Sequence, residues 1–134
     1  MDRMEYAKWL RTDQGRHHNC CQTVLMTFAD RLSMDPEEAY RLAAYMGAGM
    51  RCGATCGVLT SASLVLGAAG APAEAQRAVL QEFRQQHGAL ACVDLLTDAK
   101  ARGEAKKPFC DGLVLDMVAR LAQLLDTPSG TAAQ

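Results

Sequence analysis

Along the whole chain apolar residues recur at intervals of three and four, and no stretch alternates as a half-buried strand does. That spacing predicts an all-α protein. An opening helix, about Arg3 to Thr12, carries Met4, Ala7, Trp9 and Leu10 and breaks at Gly15. A second, about Asn19 to Leu32, bears the stripe Cys21, Val24, Leu25, Phe28 and Leu32. Asp35 reads as the N-cap of a third, with Pro36 at its first position, Glu37 and Glu38 favourable to its dipole, and its end at Gly47. After the glycine-rich GAGMRCG comes a fourth helix, about Ala54 to Ala69. A fifth runs from Pro72 to His87, closed by Gly88, and a short sixth lies near Ala91 to Ala99. The last, about Phe109 to Leu125, has the clearest stripe, Leu113, Val114, Met117, Val118, Leu121, Leu124 and Leu125. The expectation is a compact bundle of about six to seven helices.

The fourth helix is unusual because no charged residue occurs from Cys52 through Ala73. With no polar face to offer water, it reads as a buried central helix around which the others pack. Its glycines, serines and threonine keep the hydropathy too low for a membrane span. The 134 residues, 49% apolar, suffice for one domain over 1–126, and the polar TPSGTAAQ at 127–134 reads as a disordered tail. A net charge of −1 gives no motive for binding a phosphate backbone, so nucleic acid is not an expected partner. The charged N-terminal stretch has no apolar signal core, which points to the cytoplasm.

In a reducing compartment six cysteines suggest metal binding or redox work rather than a disulfide framework. Cys56 falls in the first turn of the uncharged helix, where free backbone N–H groups and the dipole favour a thiolate. Cys52 stands four residues earlier, beside Arg51. In regular helix the two would share a face and suit joint metal ligation, whereas a bend at Gly53 also permits a disulfide. Cys92 shares a face with Leu95 and Leu96, and Cys110 lies on the stripe of Leu113 and Met117, so both point inward. Cys20 and Cys21 diverge by roughly 100° on a helix. Cys21 belongs to the apolar stripe and reads as packing, with Cys20 at its edge. His17 and His18 read as exposed loop residues able to lend an imidazole to a metal, and the methionines read as core filler. No nucleophile triad, P-loop, dinucleotide fingerprint or CxxCH haem attachment occurs.

The segments NCCQTVLMTFADRL, MGAGMRCGATCGVLTSASLVLG, EFRQQHGALACVDLL and PFCDGLVLDMVARLAQLL, in that order, resemble the C-GCAxxG-C-C family, whose members are described as redox-active. The likeness spans about residues 4 to 125. It implies that the family cysteines are Cys20, Cys56, Cys92 and Cys110, and that Gly47, Gly49 and Gly57 match family glycines. Val58 and Ser61 stand where the pattern has Ala and Gly, reshaping the pocket beside Cys56. Cys21 replaces a small Ala, and Cys52 is an extra thiol. A similar cysteine region accompanies an iron–sulfur centre in split-Soret cytochromes.

Three functions follow as expectations. Cys20, Cys56, Cys92 and Cys110 hold an iron–sulfur cluster for electron transfer or redox sensing. Alternatively Cys56 performs thiol–disulfide chemistry with Cys52 or Cys20 as resolving partner. In the third, the thiols, with His17 or His18, bind a thiophilic ion such as Zn or Cu(I). The redox partner is not encoded in any motif. Pairing of two copies suits a small bundle, yet no surface stripe marks an interface.

Overall fold

The computed structural model describes residues 1–126; the tail expected at 127–134 lies outside them. Among the described residues the chain is all-helical, with α1 (Arg3–Thr12), α2 (Cys20–Thr27), a 3₁₀ helix (Ala29–Leu32), α3 (Pro36–Leu42), α4 (Gly57–Ala68), α5 (Ala73–His87), α6 (Cys92–Ala101) and α7 (Lys106–Asp126). The 3₁₀ helix takes the count above expectation. It arises because the stripe read as one helix to Leu32 breaks at Phe28, whose φ of −109° lies outside the helical range.

Reciprocal capping boxes start the first three helices, pairing Asp2 with Glu5, Asn19 with Gln22 and Asp35 with Glu38. The third helix stops at Leu42 rather than Gly47 because side chains of α2 take its terminal carbonyls. Asn19 donates to Ala43 and Ala44 at 3.2 and 3.3 Å, and Gln22 donates to Tyr40 at 3.0 Å. Gly88, at φ 79°, closes α5 in the left-handed conformation as its sequence position implies. The last helix begins three residues before Phe109 and carries Pro108 in its first turn, where a missing N–H costs no helical bond.

The helix buried on all sides is α2, in which every residue from Cys21 to Thr27 is inside. Its polar members are satisfied locally, Thr23 donating to Asn19 O at 2.9 Å and Thr27 to Thr23 O at 2.7 Å. The uncharged α4 is not the enclosed element its composition suggested. It buries Val58, Leu59, Ala62, Val65 and Leu66 but turns Leu64, Gly67 and Ala68 outward, with Leu64 46% exposed. Small side chains satisfy a surface as readily as a crowded contact, so the lack of charge did not specify burial.

Around α2 the other helices supply Ala7, Leu10, Phe83, Val114, Val118 and Leu121, all buried with it in one core. Each fully buried Leu, Val or Phe contributes roughly 1.5–3 kcal/mol. Arg3 ties the start of α1 to the end of α7, bonding Thr27 O at 2.6 Å and Asp30 at 2.8 Å while also meeting Asp126. No helix among the described residues is long and apolar enough to cross a membrane.

Asn19 therefore both caps α2 and terminates α3. Asn19→Ala is expected to lower unfolding free energy by about 1–3 kcal/mol, the cost of a lost cap with stranded carbonyls. Urea denaturation checks this, and an unchanged midpoint would refute the double role.

Candidate functional site

All four family-matched thiols lie at helix starts. Cys20 and Cys92 are the first residues of α2 and α6, Cys56 is the N-cap of α4, and Cys110 is in the opening turns of α7. Cys56 thus sits one position before the helix in which it was expected. Its carbonyl accepts from Leu59 N at 2.9 Å while its own N–H donates to Leu90 O at 2.9 Å. A second bond, Cys92 N–H to Ala54 O at 2.6 Å, flanks an isolated antiparallel bridge between Thr55 and Ala91. Those two extended snippets hold Cys56 alongside Cys92.

Cys20, Cys56, Cys92 and Cys110 line a single cavity of about 510 Å³. Cys56 is 5% exposed, and the other three are half-buried. Gly57 makes the closest approach possible, since a Cβ there would lie 2.7 Å from Cys20 Sγ and 3.0 Å from Met46 O. Cys52 is exposed, bonds Gly49 O at 3.6 Å and is absent from the cavity lining. Cys21 is buried in packing, where Thr60 Oγ1 meets its sulfur at 3.9 Å. Burial pushes its thiol up to about 11.

The electrostatics single out one thiol. A hydrogen bond from Cys56 brings Cys20 down to about 6, despite desolvation; Arg11 and the backbone N–H groups of Cys21 and Gly57 also favour its thiolate. Those two N–H groups belong to the first turns of α2 and α4, where the helix dipoles favour negative charge. Cys56 is shifted upward by the same bond, by burial and by the charge on Cys20. The two sulfurs titrate as a unit in which the first ionisation is favoured and the second opposed. Cys92 and Cys110 are raised by burial and then by the Cys20 charge.

Two histidines border this cavity, and one of them differs from expectation. His17 is exposed, whereas His18 is 3% exposed. Its Nδ1 faces Leu10 O at 2.9 Å and its Nε2 accepts from Arg16 at 3.2 Å, so neither ring nitrogen is free to ligate. Burial also lowers its pKa. Among the described residues no three His, Cys, Asp or Glu side chains stand together in the geometry that holds a metal ion.

Arg11 is a site residue that the sequence reading passed over. Its guanidinium donates to Asp111 at 2.6 Å and His18 O at 2.9 Å, linking α1, the loop before α2 and α7 beside the thiols. No local signal marks it, because Asp111 is 100 positions away. The other unforeseen feature is backbone. Ala48, Gly49, Met50 and Arg51 follow one another at φ 53°, 62°, 59° and 62°, a left-handed turn in which only one member is glycine. Ala54 N–H closes it on Gly49 O at 2.9 Å, and it carries Ala48 and Arg51 to the cavity. Val58, in place of the family Ala, also lines that space, and Ser61 Oγ turns away to Gly57 O at 2.8 Å.

Alkylation by iodoacetamide reads these assignments directly. Cys20 is expected to react with a half-point near pH 6, about 6 being the folded value against 9.0 for an ordinary thiol. Removing the donor with Cys56→Ala moves that half-point upward. Gly57→Ala should cost roughly 1–3 kcal/mol by overpacking against Cys20, which thermal or urea unfolding measures; undiminished stability would contradict the close approach.

No curated protein and no solved structure matches the chain. The family profile described as putative redox-active protein (C_GCAxxG_C_C) matches residues 18–124, a span containing all four cavity thiols and Gly57. On that match over most of its length, this chain belongs to the C-GCAxxG-C-C family of redox-active proteins.

Proposed function

We propose that the chain acts through an exchanging dithiol and disulfide pair, Cys20 and Cys56. The packing of Gly57 against Cys20 carries this reading, because it seats Cys20 near Cys56 in one cavity, where the Cys20 thiol is lowered to about 6 and the Cys56 thiol is raised, a charged nucleophile with a protonated partner. Cys20 thiolate attacks one sulfur of an incoming disulfide, whose other sulfur departs as a thiolate. A mixed disulfide then joins Cys20 to the substrate. Cys56 loses its proton to solvent or to the departing thiolate and attacks Cys20 Sγ. The Cys20–Cys56 bond forms, the second substrate sulfur leaves, and two electrons have passed from the protein to the incoming disulfide.

These roles reverse those anticipated for the pair. Cys20 is the nucleophile because it receives the hydrogen bond together with two backbone N–H groups. The exposed Cys52 takes no part.

A second reading uses the same cavity. Four thiols on one space match in number the ligands of an iron–sulfur cluster, and Cys20, Cys56, Cys92 and Cys110 would hold it. A bound cluster would supply one-electron transfer. The cations lining the cavity suit a negatively charged thiolate centre, but Cys92 and Cys110 are raised and would have to ionise. A lone thiophilic ion would face the same demand. The lowered Cys20, alone among the cavity thiols, supports the dithiol.

Mass spectrometry across a redox titration tests the choice. The expected result is a reversible loss of two hydrogens mapped to Cys20 and Cys56, abolished in Cys20→Ser and Cys56→Ser and retained in Cys52→Ser. If no defined pair closes, and anaerobic reconstitution yields brown protein with about two or four irons per chain, the cluster reading replaces it.

A further inference from the structure

The thiol cavity has a second chemical character that the redox reading leaves unused. Arg11, Arg51, Lys106 and Lys107 all line it, and no Asp or Glu does. This is a local bias in a chain whose formal net charge is −1. Two of the cations are occupied: Arg11 and Lys107 share Asp111 at 2.6 and 3.0 Å, which fastens α1 to α7. Arg51 and Lys106 differ from them. Neither forms an ion pair among the described residues, and both are exposed at the cavity.

Arg51 is also held there by unusual means. Its φ of 62° is one of the left-handed values of the Ala48–Arg51 turn, a region that side-chain-bearing residues adopt only where surrounding contacts enforce it. Its guanidinium rests 5.4 Å from the centre of the Tyr45 ring. Lys106 stands across the sequence at the first residue of α7, four positions before Cys110. Between them, the walls include apolar Val58, Leu96 and Phe109. A space of about 510 Å³ falls within the roughly 300–1,000 Å³ range of small-molecule sites. Clefts lined by one sign of charge concentrate ligands of the other.

We infer that the cavity receives a small disulfide bearing carboxylates, whose charge Arg51 and Lys106 hold while its sulfur reaches Cys20. The carboxylates answer the unpaired cations, the carbon chain answers the apolar walls, and the disulfide answers the thiols. The reaction rests on the dithiol reading above; the recognition of the anion does not. Attack by Cys20 breaks the ligand's S–S bond and expels one half as an anionic thiolate. Closure by Cys56 expels the other, so one disulfide is reduced to two thiols as the protein pair is oxidised.

S-methylglutathione separates recognition from reaction, because it carries the carboxylates but has no exchangeable sulfur. Titration calorimetry on the reduced full chain should show binding that weakens as salt is raised. Arg51→Gln with Lys106→Gln should weaken it about tenfold, the loss of two partly exposed charge contacts, with the melting temperature of the variant reporting its fold. In stopped flow, glutathione disulfide should oxidise the wild-type pair faster than neutral bis(2-hydroxyethyl) disulfide. Wild-type binding no tighter than that of the double variant overturns the inference, even where the neutral disulfide closes Cys20–Cys56 and so upholds the dithiol reading. Binding of S-methylglutathione with no disulfide closing the pair overturns the dithiol reading and, with it, the disulfide as the ligand, leaving an anion site.

Discussion

The candidate site depends on a contact without a side chain in it, where Gly57 lies against Cys20. A single added carbon at Gly57 would stand 2.7 Å from the sulfur and 3.2 Å from Cys21 Cβ, so any larger residue forces the first turns of α2 and α4 apart. With the gap closed, the start of α4 lies against Cys20, and Cys56 at the preceding position lines the same cavity. One steric fact therefore sets both thiols at the same cavity wall. Gly47 repeats the device nearby, since a Cβ there would lie 2.7 Å from Asn19 Cβ. That packing seats the side chain that caps α2 and ends α3.

Cooperation between helix ends then replaces what a single motif supplies in other redox centres. Four thiols come from four helix starts, and the unpaired N–H groups of such starts favour negative charge. Only Cys20 moves below the ordinary thiol range, chiefly through the Cys56 thiol, with Arg11 and the backbone N–H groups adding to it. Once charged, it raises its neighbours Cys56, Cys92 and Cys110, so the first ionisation opposes the rest. Within the cavity the acidity of Cys20 is thus set apart from that of the other three thiols.

Backbone strain lies in the same region. Through most of the molecule local preference and tertiary structure agree, as the capping boxes and the left-handed Gly88 attest. They part at Ala48 to Arg51, where three non-glycine residues hold positive φ in a turn bordering the thiols. Residues in such conformations persist where surrounding contacts enforce them. Here the closure of Ala54 on Gly49 and the packing of Gly53 against Val93, 3.1 Å from a notional Cβ, provide that enforcement.

Periodicity by itself determined the all-α class and the placement of most helices, because an amphipathic stripe and its caps are encoded within a few turns. The same local logic found Asp35 and Gly88 as helix boundaries and set Cys21 apart from Cys20, and the ordered motifs pointed to Cys20, Cys56, Cys92 and Cys110. Which helix is enclosed was a tertiary matter: α4 lacks charge yet exposes Leu64, while α2 is buried throughout. Tertiary structure also separated exposed Cys52 from the cavity, consumed both nitrogens of His18 and recruited Arg11 through an aspartate far along the chain. The physical reason is common to all of these. A thiol's acidity and a cation's freedom depend on groups that only folding brings within a few ångströms, and no spacing along the chain records those neighbours.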